Sequence, residues 1–315
     1  MTALDQKTEP QGISSRITPR LLSQTYGSFL GLAVGDALGA TLEFMEPHEI
    51  QKQYGVHRNI VGGGWLRLKK GDVTDDTSMT FALAESILNA GRVDAFAMAQ
   101  GLSDWMVKKP VDIGNTVRKG IVHYRLSGIP CSPVSEHDAG NGACMRSLAI
   151  VMATLFASEK DAISASRLQS HITHNNTLSD VGTECIMRML RAIFAGTDKQ
   201  HIYQKFIPEF LQTHPEYEFR NTEINSPSGY IVETLQAVFQ SFFFHDSFEE
   251  ILVDVVNRGG DADTTGAIAG MLAGAYYSLE NIPRKWLKSL RPDVVDTCYS
   301  LTDKLLKFSR SSYYT

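Results

Sequence analysis

Cysteine is scarce in this 315-residue chain. The four present, Cys131, Cys144, Cys185 and Cys298, form no CxxC pair and no zinc-finger spacing. So few thiols exclude a disulfide-held scaffold, argue against zinc, and suit the reducing cytoplasm. Cys144 reads as a small buried residue rather than a nucleophile. Positive charge is short as well. The 30 Lys and Arg against 35 Asp and Glu leave a formal net charge of −5, which gives no support to a nucleic-acid surface. A local field can oppose the overall sign, so an anionic substrate stays open. No apolar run approaches the ~20 residues of a membrane span. The first residues also lack the charged start and apolar core of a secretory leader. Alternating β-branched runs are nearly absent, which removes strands from the expectation.

What is present is ordinary for a soluble globular protein, with 43% hydrophobic and 21% charged residues. Residues 1–20 are polar, hold Pro10 and Pro19, and read as a flexible tail, with a partner-docking arm as the sharper alternative. Residues 21–315 show no lasting shift in composition and read as one compact all-α domain, a helical bundle with its motifs at helix ends. Helices are expected over 21–39, 79–89, 93–106, a stretch ending at Tyr124, 146–156, 161–170, 179–194, 202–213, 229–243, 247–256 and 265–277. A polar loop is expected over 214–229, and the segment 293–315 looks particular to this chain.

Two helices carry glycine at every fourth residue. Gly27, Gly31, Gly35 and Gly39 mark the first, and Gly266, Gly270 and Gly274 mark the last. Each interior glycine costs roughly 1 kcal/mol relative to Ala. Such a stripe is tolerable where another helix packs closely against it, and it suggests a tightly packed centre.

The chemistry concentrates at two helix starts. Thr74-Asp75-Asp76 opens one helix, and Gly260-Asp261-Ala262-Asp263-Thr264 opens the last glycine-striped one. Each offers two carboxylates and a hydroxyl. The bland reading is helix capping, but one cap needs one side chain and each start has three candidates. If the two segments converge, four carboxylates and two hydroxyls meet, and Glu43 can add a fifth carboxylate. Hard divalent cations such as Mg²⁺ or Mn²⁺ prefer oxygen ligands, and two of them balance most of that charge.

At the level of motifs the sequence resembles the ADP-ribosylglycohydrolases. The residues that carry the resemblance are the run from Gly31 to Phe44, Gly62 to Trp65, Thr74-Asp75-Asp76-Thr77 and the run from Pro110 to Thr116. They continue with Asp138 through Gly142 to Arg146, Ile172 to Asn175, and Gly259 to Gly266, so the likeness spans about residues 24 to 290. It implies an all-α fold of orthogonal helices with a dinuclear Mg²⁺ or Mn²⁺ site. The implied metal ligands are Thr74, Asp75, Asp76, Asp261, Asp263 and Thr264, with Glu43 beside them as an indirect ligand or acid/base group. Asp112 is the implied catalytic carboxylate, although by itself it reads as an N-cap. Gly114, Asn115, Asn141, Gly142, His174 and Tyr230 are the implied contacts to the ligand, with Tyr230 expected to stack on adenine. The implied activity is removal of ADP-ribose from modified arginine of a target protein. The implied partner is nitrogenase reductase, or a toxin that the protein counteracts as an antidote. The neighbouring readings are hydrolysis of an O-linked ADP-ribosyl serine and a non-catalytic ADP-ribose-binding module.

Overall fold

The centre of the molecule is a pair of helices whose backbones touch. In the computed structural model, which describes residues 17–313, Pro19–Gly39 forms α1. Its start is set by Thr18, whose hydroxyl accepts from Leu21 N, and by Pro19 in the first turn. Its partner Ala262–Tyr277, α14 in chain order, runs antiparallel to it. Gly27, Gly31 and Gly35 face Gly274, Gly270 and Gly266, while Gly39 faces Ala262. A methyl group on Gly35 would stand 1.9 Å from the Gly266 carbonyl oxygen, and one on Gly31 would stand 2.2 Å from that of Gly270. No side chain fits there, which accounts for both stripes.

The other helices wrap this pair. Pro47–Tyr54 is α2, Asp75–Ala90 is α3, Ala95–Val107 is α4 and Asn115–Ser127 is α5. Two short helices follow, Gly142–Met145 as α6 and Leu148–Ala153 as α7, then Glu159–Ser170 as α8 and Thr177–Phe194 as α9. A turn Lys199–His201, α10, passes through a π-helical stretch Ile202–Phe206 into α11, Ile207–Thr213. Ile231–Phe244 is α12 and Phe248–Asn257 is α13; beyond α14 come α15, Arg284–Leu287, and α16, Pro292–Tyr313. Among the described residues there is no strand, only two isolated bridges. The all-α expectation therefore holds. No described helix is long and apolar enough to cross a membrane.

Three sequence expectations need adjustment. The helix expected over 146–156 is shortened to α7, and α6 stands before it as a separate short turn. Bonds from Cys144 N to Asn141 O, Ser147 N to Cys144 O and Ile150 N to Ser147 O tighten this stretch into i to i+3 turns. The segment expected to be particular to this chain lies, as far as it is described, in α16, a 22-residue helix packed against α1. Its Asp303 accepts from the Tyr26 hydroxyl of α1 at 2.6 Å, and its Tyr299 ring lies 4.8 Å from that of Tyr26. The expected tail lies outside the described residues except for its last four, of which Pro19 and Arg20 already belong to α1. Of the cysteines, Cys131 is exposed, and Cys144, Cys185 and Cys298 are buried free thiols.

Candidate active site

The packing of α1 on α14 fixes where the acidic residues go. Glu43 follows the end of α1, and the start of α14 carries Asp261, Asp263 and Thr264. Phe44 N donates to Gly260 O at 2.7 Å and Gly260 N donates to Met45 O at 3.0 Å, which ties the two segments together. Carboxylate oxygens of Glu43, Asp261 and Asp263 consequently lie within 4.8 Å of one another. Gly260 has φ +62, and a side chain there would strike the Pro227 carbonyl at 2.3 Å.

The second acidic segment is brought in by Asp36, a carboxylate that the sequence reading left without a role. It sits on α1 wholly buried and accepts from Thr74 N at 3.0 Å, Thr77 N at 3.1 Å and Thr77 Oγ1 at 2.5 Å. Asp36 thus caps α3 from another helix. Thr74 makes no side-chain cap, and its hydroxyl donates to Asp76 Oδ2 at 3.0 Å instead. Thr264 Oγ1 reaches the same oxygen at 3.3 Å, which joins the two helix starts directly. Asp261, at the N-cap of α14, makes no side-chain cap either. Capping alone therefore explains neither acidic pair.

A cavity of about 680 Å³ opens over this floor. Glu43, Asp75, Asp261, Asp263 and Thr264 line it, while Thr74 and Asp76 lie beneath. Asp112, Gly114, Asn115, Asn141, Gly142 and His174 are on its walls. Asp112 is half-buried and does not cap α5, whose N-cap is Gly114; Gly114 N instead points at Asp75 Oδ2, 3.4 Å away. Asn141 Nδ2 donates to Asp261 Oδ2 at 2.6 Å and to Thr234 Oγ1 at 2.9 Å, fixing one floor carboxylate to the wall. Tyr230 is not among the lining residues. It occupies the N-cap position of α12 beside Gly229, which does line the cavity, and its side chain is partly exposed.

Several lining residues had no role in the sequence reading. Trp65 Nε1 donates to Glu43 Oε2 at 2.6 Å, and the Phe44 and Trp65 rings lie 5.3 Å apart at the mouth. The end of the polar loop, Ser226 to Gly229, forms another wall. Its signal in sequence was only a Ser-Pro-Ser-Gly turn. Asp36 had a stronger one, an ionisable residue inside an otherwise apolar, glycine-striped helix.

Electrostatically the floor is under tension. Burial, then repulsion from neighbouring carboxylates, pushes Asp75 up to about 7 and Asp76 and Asp263 well above the usual range. Burial also pushes Glu43 up to about 8, against the opposing hydrogen bond from Trp65 and with added repulsion from Asp261, Asp112 and Asp75. Asp261 is raised mainly by burial. Among the described residues Asp76 Oδ1 is buried without a hydrogen-bond partner. A buried carboxylate oxygen without a donor is costly unless something else binds it. An all-oxygen donor set with this surplus of negative charge fits hard divalent cations.

A family model described as ADP-ribosylglycohydrolase matches residues 17–313, so the likeness includes α16. The chain is 43% identical over 288 residues to the ADP-ribosyl-(dinitrogen reductase) glycohydrolase of Rhodospirillum rubrum, covering 91% of this chain and 97% of that one. It is 31% identical over 284 residues to an ADP-ribosylarginine hydrolase of Serratia proteamaculans, covering 85% and 75% respectively. A solved structure described as an ADP-ribosylglycohydrolase-related protein complex superposes with a TM-score of 0.82 at 33% identity, over 93% of this chain and 100% of that chain.

Proposed function

The chain belongs to the ADP-ribosylglycohydrolase family, and from that premise we propose that it is a metal-dependent hydrolase removing ADP-ribose from arginine side chains of a target protein. The observation that carries the reading is the convergence of Glu43, Asp75, Asp76, Asp261 and Asp263 under one cavity, with Asp76 Oδ1 left unpartnered. The activity named for the Serratia proteamaculans relative supports the arginine linkage, and that named for the Rhodospirillum rubrum relative supports a protein target. Asp36 is committed to holding α3 and is not counted as a ligand.

Two divalent cations, Mg²⁺ or Mn²⁺, would be held by Thr74, Asp75, Asp76, Asp261, Asp263 and Thr264. When bound they would supply positive charge to orient ribose hydroxyls and offset the acidic floor. The remaining chemistry falls to the chain's own groups. Water adds to the anomeric carbon while the bond to the guanidino nitrogen breaks, through a transition state with oxocarbenium character. Asp112, on the wall and half-buried, takes the proton of that water and offsets positive charge on the sugar. Glu43, held in orientation by Trp65, is the second carboxyl at the site and passes a proton to the departing nitrogen. Asn115, Asn141, Gly142 and His174 are available to hold the rest of the ADP-ribose, with Tyr230 at the rim of that wall.

The reading is tested by offering arginine-linked and serine-linked ADP-ribosyl peptides side by side, with Mn²⁺ or with chelator. Release from the arginine peptide in Mn²⁺ alone is expected. Release from the serine peptide only would overturn the linkage assignment, and ADP-ribose binding without release from either would overturn the enzyme reading.

A further inference from the structure

Arg146 is wholly buried, and among the described residues it pairs with no carboxylate. Its Nε donates to Gln169 Oε1 at 2.9 Å, and its Nη2 donates to the Gln169 carbonyl at 3.0 Å and to Thr173 Oγ1 at 2.8 Å. Nη1 is sealed in without a partner among the described residues. A guanidinium has only donors, so the Thr173 oxygen accepts there. The Thr173 hydroxyl then has one proton to give, and His174 Nδ1 lies 2.7 Å from Oγ1. With that proton on the line between them, Nδ1 is the acceptor, and a neutral ring carries its hydrogen on Nε2.

Nε2 faces the ligand wall. A methyl group on Gly140 would stand 2.9 Å from it and one on Gly142 would stand 3.1 Å from it, so both glycines leave room for the ring. Gly140, Gly142 and His174 all line the cavity. Unlike Arg146 Nη1, Nε2 is not among the sealed polar atoms. Burial, then the charge of Arg146, pushes the His174 pKa down to about 3, and Asp138 alone pulls the other way.

We propose that Arg146, acting through Thr173, is a positioning residue that sets His174 as a neutral imidazole with its Nε2–H presented to the cavity. Resting on the function proposed above, the geometry gives that N–H a phosphate oxygen of ADP-ribose to meet. The charge of Asp75 reaches the buried guanidinium behind the ring, but no carboxylate among the described residues bonds to it, and it favours an anionic acceptor over a neutral one. The same charge discourages a second proton on the ring, which keeps the donor fixed rather than switching with pH. Gln169 completes the arrangement, since its Nε2 donates to Ala143 O at 3.0 Å and thereby directs Oε1 toward Arg146.

The test is ¹⁵N NMR on the full-length, Mg²⁺-loaded protein with labelled histidine, with and without ADP-ribose, alongside T173V, T173S, H174Q and H174A. Wild type and T173S should show the Nε2–H tautomer, with the Nε2–H signal moving when ADP-ribose binds. T173V should lose the single tautomer and bind ADP-ribose roughly tenfold more weakly, the loss of one hydrogen bond to a charged acceptor. H174Q, which keeps an N–H donor, should bind more tightly than H174A. An Nδ1–H tautomer or an imidazolium in wild type would overturn the proposal, and so would T173V with tautomer and affinity unchanged. The tautomer is read without turnover. Absence of arginine-peptide hydrolysis in a protein with the expected tautomer would therefore contradict the function and leave the relay standing.

Discussion

At the scale of single residues, the site depends on which carboxylates are free to act. Asp112 has the outline of a helix cap in sequence, yet Gly114 occupies that position and Asp112 stands on the cavity wall. We expect D112N to bind ADP-ribose while turnover falls by about 10²–10⁴, the usual contribution of a positioned acid or base. Single-turnover kinetics beside an ADP-ribose titration checks this; near-normal turnover would remove Asp112 from the chemistry. The candidate ligands were legible because two similar acidic triplets recur in one chain. Asp36 was not assigned, because its role is to cap a helix 38 residues away, and no local pattern records that bond. Trp65 escaped for the same reason, since its hydrogen bond to Glu43 depends on how two loops fold over each other.

At the scale of elements, the glycine stripes decide the architecture. The spacing of four was plain in the sequence, but their direct contact in antiparallel register emerges only from the fold. That register brings Glu43 to Asp261 and Asp263, so the packing of α1 on α14 shapes the site itself. A methyl group at Gly35 would lie 1.9 Å from Gly266 O, and backbone cannot yield as a flexible side chain would. We predict that G35A destabilises the protein by about 3 kcal/mol or more, at the upper end of overpacking effects. G55A is a suitable control, because beyond its own chain neighbours no described residue comes within 4 Å of the added methyl group. Gly55 has φ +65, so a smaller loss is expected there from backbone strain. Urea unfolding of both variants measures the difference, and equal midpoints would contradict close backbone packing. The segment from 293 was placed in the single domain without a helix assigned to it, and it lies in α16. Its contacts to α1 are long-range and its own sequence is mostly polar, so its docking face is hard to read in isolation.

At the scale of the whole molecule, the fold holds an acidic floor that opposes folding unless its charge is offset. Carboxyls raised above their ordinary range keep protons in the folded state that the unfolded chain releases. Stability therefore falls as pH rises from the ordinary carboxylate range through the raised values, about 6 for Asp36, about 7 for Asp75 and about 8 for Glu43. A bound cation stabilises the ionised form and should reverse the loss. All-α class and a single acidic centre were foreseeable from composition and motif. The extent of burial around that centre was not, because it arises from helices far apart in sequence.

The most direct measurement is the thermal unfolding midpoint of the protein, with chelator and with Mn²⁺, from about pH 5 to about pH 8. The chelated protein should lose stability steadily as pH rises. Mn²⁺ should restore it most at the alkaline end, and D76N should blunt both effects. A midpoint that ignores both pH and Mn²⁺ across this range would contradict a divalent-cation site at the acidic floor.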